Sequence, residues 1–391
     1  MGLVLSGGGA RGAYQAGVVK GLVELGLIPA GPSAFDVIVG SSAGSINAGM
    51  LAAFADNLAE GAGRLAEIWN QLDAPHVFRT DIRSLGRIGV RWAWDLSFGG
   101  ALRRVQPKAL LDTAPLRKLL GRIPLSRVES HVKAGTLHAL AVAATDLYSS
   151  NGFVFVHGHP DIQPWKRSRW RVERTRIGVD HLMASSAIPV FFPTIQIGGR
   201  HFGDGCIRNT APLSPAINLG ASRIVAIGVQ GPGVPDAGKP KKLPPPTIAQ
   251  IAGVLLDAVM IDAIEVDVEH SDRVNTSVLS CRDRDPSNPF RWIDVLWLRP
   301  SADIGSIAAE LADRVPPILR YLMRGLGTDE AITELLSYLL FDPVFCGRLV
   351  DLGRNDVIAA RAQIEHFFAH GAGAKGPPPS RAPRAKERAG A

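Results

Sequence analysis

The sequence predicts an α/β fold, in which a parallel sheet is covered by helices and followed by a mostly helical C-terminal part. Three observations carry this. Strand and helix patterns alternate through the first 54 residues, and buried-strand runs recur as far as Arg223–Val229. The apolar spacing beyond that point is mostly helical. The chain has 391 residues, 46% of them hydrophobic and 20% charged, enough for one large domain with a sizeable core plus a satellite.

Leu3–Ser6 is a short apolar strand running into Gly7-Gly8-Gly9. A helix follows from Gly12 to Leu25, with Tyr14, Val18, Leu22 and Leu25 on one face. Phe35–Val39 is a second buried strand, and Ser42–Phe54 is a helix of small residues suited to packing close against a sheet. Residues 60–135 are rich in Arg and Trp and show no strand pattern, which predicts an inserted cap. Leu137–Thr145 is a strand, while Asn151–Val156 and Arg167–Ile177 have β character. Asp180–Ala187 is a helix that stops before Pro189, because proline disfavours helix in the residue before it. His201–Phe202 leads into an Asp204-Gly205 turn. The catalytic unit is thus expected over 1–230, a Pro/Gly/Lys-rich linker over 231–247, and a mostly helical part over 248–371 with one strand at Trp292–Leu298. Residues 372–391 have the composition of a disordered basic tail.

Cys206, Cys281 and Cys346 are the three cysteines, an odd count with no C-x-x-C pair. That argues against a disulfide framework and against structural zinc. Neither a signal peptide nor an apolar run long enough to span a bilayer is evident, so a reducing, cytoplasmic setting is expected. Met1-Gly2 with Ser6 fits the loose N-myristoylation pattern, but Gly2 enters the first core strand. The net charge is +7, with much of the excess in the tail at Lys375, Arg381, Arg384, Lys386 and Arg388. Such a balance suits an anionic membrane surface or nucleic acid, but the plainer reading, a solvated charged tail, is preferred.

Gly7-Gly8-Gly9-Ala10-Arg11-Gly12 follows a strand and opens a helix. Without β-carbons, its backbone N–H groups can converge on one point, and the helix N-terminus adds partial positive charge. Such a nest binds an anion, either a nucleotide pyrophosphate or the oxyanion of acyl transfer. Gly7, Gly9 and Gly12 also satisfy G-x-G-x-x-G. A dinucleotide site wants an acid at the C-terminal end of the second strand, however, and Asp36 stands at its start. The far end of that strand carries Gly40-Ser41-Ser42-Ala43-Gly44, a G-x-S-x-G motif where strand turns into helix. That is the setting of a nucleophile elbow, whose sharp turn projects the Ser42 Oγ and needs Gly40 and Gly44 to avoid collision. The plainer alternative makes Ser42 a helix N-cap.

A serine nucleophile needs a group to take its proton. Of ten histidines, only His270, His366 and His370 follow Asp204, all beyond the proline-rich stretch, and His201 points off a strand. Asp204 between Gly203 and Gly205 is the better candidate, although Asp-Gly is also a common plain turn.

The Gly7–Gly12 loop, the Gly40–Gly44 elbow and Asp204-Gly205 occur in the order and at about the separations found in the patatin-like phospholipases. The stretch Ala184–Val229 resembles that family throughout, and ELLSYLLFDP at 334–343 resembles a C-terminal extension of some bacterial members. The resemblance implies a three-layer hydrolase core and a lipid acyl hydrolase without metal or organic cofactor. It makes Ser42 the nucleophile, Asp204 the base, and the N–H groups around Gly8, Gly9, Ala10 and Arg11 the oxyanion hole. Cys206 departs from the small residue, Gly or Ala, that usually follows Asp-Gly, and the turn is expected to survive it. The implied partner is a lipid or acyl-ester substrate, with no nucleic acid. An acyl thioesterase, or a lipid-binding scaffold without activity, is the alternative. Arg83, Arg87 and Arg91, spaced i, i+4, i+8, suggest contact with an anionic membrane, or else a cap helix packed on the core.

Overall fold

A computed structural model of the protein describes residues 1–79, 109–165, 167–231, 263–280, 290–317, 319–320 and 336–369. The segment around Arg83, Arg87 and Arg91, residues 232–247 of the expected linker, Cys281, His370 and the tail all lie outside the described residues.

The fold is α/β. Strand β1 (Gly2–Leu5) leads through a tight turn into helix α1 (Gly12–Glu24). Next come β2 (Val37–Ser41), α2 (Ala43–Ala53), α3 (Leu58–Gln71) and the short α4 (Ala74–Val77). After α5 (Ala114–Leu120) and α6 (Ser126–Ala134) the chain forms β3 (Ala139–Asp146), β4 (Asn151–Gly158) and β5 (Trp170–Arg174). Helix α7 (Val179–Ser185) precedes the hairpin β6 (Ile195–Ile197) and β7 (Arg200–Gly203). Then follow α8 (Ser214–Asn218), β8 (Arg223–Ile227), α9 (Ile264–Ser280), β9 (Asp294–Leu298), α10 (Ile304–Glu310), α11 (Pro343–Ala359) and α12 (Arg361–Ala369).

The strand order is β5-β4-β3-β2-β1-β8-β9, with β7 against the end of β3. From β3 to β9 all neighbours are parallel, with Leu3 in register with Ile38 on one side and Val225 on the other. The sheet is mixed, because β4 returns antiparallel to β3 and takes β5 with it. Only the short stretch Leu147–Ser150 joins β3 to β4, and a connection that short cannot make a parallel crossover.

Period-2 alternation divides the core. Leu3, Leu5, Ile38, Val225 and Ile227 face one helical layer, containing α1, α2, α3 and α11. Val4, Val37, Val39, Ile224 and Ala226 face the other, where α9 contributes Ile264 and Val268. Three layers result.

One sequence expectation differs from the structure and one gains a partner. The stretch 60–135 was expected to form an inserted cap, yet α3 packs on α1 with Leu58, Ala62, Leu65, Ala66 and Trp69 buried in the main core. The strand expected at Trp292–Leu298 is β9, and it pairs with β8 in the central sheet. Helix α11 packs along α1 so closely that a methyl group on Gly17 would stand 2.0 Å from the Val350 carbonyl oxygen. The C-terminal part therefore completes the sheet and the helical layer of the N-terminal part.

Candidate active site

Parallel strands gather their C-terminal ends on one edge of the sheet, and the motif residues lie there. The Gly7–Gly12 loop leaves β1, Gly40 and Ser41 close β2 next to the Ser42 turn, and Gly205 follows Asp204 just beyond β7. Ser42 sits between β2 and α2 with φ 51° and ψ −128°, a conformation that strains a residue bearing a β-carbon. The turn closes this tightly because its flanks are bare: a methyl on Gly40 would come within 2.3 Å of the Gly44 carbonyl oxygen. Packing of the small-residue helix α2 on β2 holds the bend in place.

The Ser42 Oγ donates a hydrogen bond of 2.7 Å to Asp204 Oδ2. Both residues are buried, Ser42 at 1% exposure and Asp204 at 0%. The Asp204 backbone is fixed at both polar groups: its N–H donates to the Ala187 carbonyl at 2.9 Å, and its carbonyl accepts from Thr145 Oγ1 at 2.9 Å. The other carboxylate oxygen, Oδ1, accepts the Cys206 N–H at 2.8 Å, so the turn is intact with cysteine in that position. Burial pushes the Asp204 carboxyl up to about 6, with the Cys206 N–H and Ser42 hydroxyl pulling the other way. The site thus holds a carboxylate poised close to neutrality.

No histidine contacts this pair among the described residues. His201 lies near Thr194 Oγ1 at 3.3 Å and edge-on to Tyr148, while His270 and His366 stand on α9 and α12. Of the glycine-loop amides, that of Arg11 is engaged: it donates to the Gly8 carbonyl at 3.0 Å and closes the turn before α1. One of the four expected donors, the Arg11 amide, is therefore taken up within the loop itself.

Sequence reasoning missed several residues. Ser185 Oγ accepts the Ser42 N–H at 2.9 Å and so fixes the strained turn. Thr145 stands next to last in β3 at the same sheet edge, a position that could have signalled its role. A further group is a buried polar chain: Gln15 Nε2 donates to the Ser6 carbonyl, Asn47 Nδ2 donates to the Gly12 carbonyl and to Gln15 Oε1, and Trp69 Nε1 donates to Asn47 Oδ1. It ties the start of the glycine loop to α1, α2 and α3.

Ser42, Gly9 and Ser186 stand at the mouth of a pocket. The rest of its lining is hydrophobic, with Ile46 and Met50 from α2, Leu65 and Trp69 from α3, and Phe192 and Phe341 among the others. Ile46 and Met50 follow Ser42 by one and two helical turns, so the lining reaches roughly 12 Å along α2 from the hydroxyl. Among the described residues no cluster of three or more His, Cys, Asp or Glu side chains could hold a metal ion. Likewise, no described helix is long and apolar enough to cross a membrane.

The family model described as patatin-like phospholipase matches residues 3–217. No curated protein matches the chain by sequence. Solved structures similar to it include VipD from Legionella pneumophila, at 14% identity over 90% of this chain and 66% of that one, with a TM-score of 0.33. Human GIVD cytosolic phospholipase A2 in complex with methyl gamma-linolenyl fluorophosphonate matches at 13% identity over 94% and 58%, with a TM-score of 0.42. The ExoU–SpcU complex of the Pseudomonas aeruginosa type III secretion system matches at 15% identity over 93% and 59%, with a TM-score of 0.23. The chain spans 58–66% of the length of these solved chains.

Proposed function

The chain belongs to the patatin-like phospholipase family, and on that basis we propose that it is a serine lipid acyl hydrolase working through Ser42 and Asp204. The observation that carries the reading is the 2.7 Å hydrogen bond from Ser42 Oγ to a buried carboxylate, placed at the polar end of an apolar pocket. A carboxylate is an ordinarily weak base, and desolvation strengthens it. Asp204 takes the Ser42 proton as Oγ attacks the ester carbonyl. The carbonyl oxygen becomes an oxyanion, held by the Gly8, Gly9 and Ala10 amides. Asp204 then gives the proton to the departing alcohol, leaving an acyl-serine. Water, deprotonated by Asp204, attacks the acyl-serine, and the returning proton restores the Ser42 hydroxyl as the fatty acid leaves.

The pocket supports an acyl chain as the group bound beside Ser42. Burying apolar surface contributes about 0.8 kcal/mol per methylene, so a pocket of this lining favours an apolar acyl group over a polar one. A fluorophosphonate probe should label Ser42, and the protein should hydrolyse p-nitrophenyl esters and labelled phospholipids. Ser42→Ala and Asp204→Asn should fold normally and each lose nearly all turnover, because the two residues act as a unit. Full turnover in either variant would remove that residue from the mechanism. Lipid binding by the native chain without turnover or labelling would favour a scaffold instead.

A further inference from the structure

Residues 336–341, Leu-Ser-Tyr-Leu-Leu-Phe, are buried throughout, although they lie far along the chain from the glycine loop. Arg11 is 2% exposed and sinks its guanidinium into this segment. Its Nε and Nη2 donate to Ser337 Oγ at 2.8 and 2.5 Å, and the guanidinium lies over the Tyr338 ring, 4.1 Å from the centroid. The segment meets the loop a second time at Gly9, where a methyl group would stand 2.1 Å from the Tyr338 carbonyl oxygen. Phe341 then continues into the pocket wall.

A buried guanidinium is tolerated where its donors are satisfied, and its planar fork fixes direction in a way that a lysine ammonium does not. In Arg11 the fixed side chain is coupled to a fixed main chain, because the same residue's N–H closes the turn onto Gly8. Gly9, between the two, has φ +54° and no side chain of its own to anchor it. The loop gains its anchorage from its neighbour and from the surface it lies on.

We propose that Ser337 and Tyr338, acting through Arg11, are positioning residues for the oxyanion loop. The segment 336–341, outside the family-matched stretch 3–217, sets where the Gly8, Gly9 and Ala10 amides meet the reacting carbonyl. This rests on the hydrolase reading above. Loop position matters most where negative charge develops, so loosening it lowers kcat and leaves KM nearly unchanged. A misplacement of about 1 Å can cost on the order of a hundredfold in rate.

The test uses the full chain with Ser337→Ala and Arg11→Lys. Both should lower kcat on a p-nitrophenyl ester about tenfold or more, with KM held within about twofold. Hydrogen exchange should quicken at the amides of residues 8–10 and stay unchanged in the central strands. Native kcat together with native loop exchange in Ser337→Ala would overturn the proposal, and a rise in KM alone would also count against it. If the buried Arg11→Lys fails to fold, Ser337→Ala, which removes a single oxygen, still decides. The exchange measurement is independent of turnover, so a native protein without hydrolase activity would sink the hydrolase reading while the tether itself was still read.

Discussion

At the scale of single residues, the proposed chemistry rests on a carboxylate buried out of contact with bulk solvent. Asp204 titrates near 6 because burial penalises its charge more than the Cys206 N–H and Ser42 hydroxyl favour it. Under the proposed mechanism the ionised form is the base, so kcat/KM should fall as pH drops through about 6, measured across pH 4.5–8 with an ester whose own chemistry is pH-independent in that range. A profile flat down to pH 5 would remove Asp204 as base. The same shift has a stability sign. The folded state holds the proton more tightly than the unfolded chain, whose carboxyl titrates near the ordinary 3.8. Ionised Asp204 therefore costs stability, fully above about pH 6 and not at all below the ordinary carboxylate range. Asp204→Asn should be inactive yet more stable than the native protein at pH 8, by about 2–3 kcal/mol, and this gain should fade as pH falls toward 4. Ser42 stood out in the sequence because glycines flank its turn and the strand-to-helix context is local, whereas Asp204-Gly205 reads equally as a plain turn and was singled out by the family resemblance. Ser185 and Ser337 were not, since each meets its partner, Ser42 or Arg11, only through the fold, 143 and 326 residues away.

At the scale of elements, three helices and a loop are pinned by one amide side chain. Asn47 satisfies both hydrogens of its amide group at Gly12 and Gln15 and offers its oxygen to the Trp69 indole, all in the buried core. Asn47→Ala would strand the Trp69 donor and the Gln15 acceptor away from water. The expected loss is about 2–4 kcal/mol, read from the urea midpoint at constant m-value. A loss within about 0.5 kcal/mol, the usual scatter of a surface substitution, would show that water or neighbouring groups satisfy them. Most elements were legible because strand alternation and helical spacing are local patterns. The helices between residues 58 and 134 were the exception, α3 most of all: Leu58, Ala62, Leu65, Ala66 and Trp69 do repeat at helical spacing, but two alanines and the intervening Gly61 and Gly63 thin the apolar stripe. The Arg/Trp-rich residues that follow then dominate the composition.

For the whole molecule, the division at 230 suggested by the proline-rich stretch is one of composition and not of packing. Strand β9 covers the open edge of β8, and α11 lies on α1 with Leu349, Val350 and Val357 buried between them and their surroundings. A five-residue strand carries no mark of which edge it will join, so this integration could not be read from residues 294–298 alone. A chain ending at residue 230 keeps the whole family-matched stretch yet exposes that edge and the α1 face. It should show no cooperative unfolding by circular dichroism, and a soluble, cooperatively unfolding fragment would establish 1–230 as an autonomous domain. The contact between Arg11 and Ser337 has a further consequence in time. During synthesis Ser42 and Asp204 leave the ribosome well before Ser337 exists, and at about 5–20 residues per second the gap is on the order of ten seconds. Under the proposed mechanism, a nascent chain in that interval holds Ser42 and Asp204 but lacks the partner that anchors its glycine loop, so full turnover waits until residue 337 has been made.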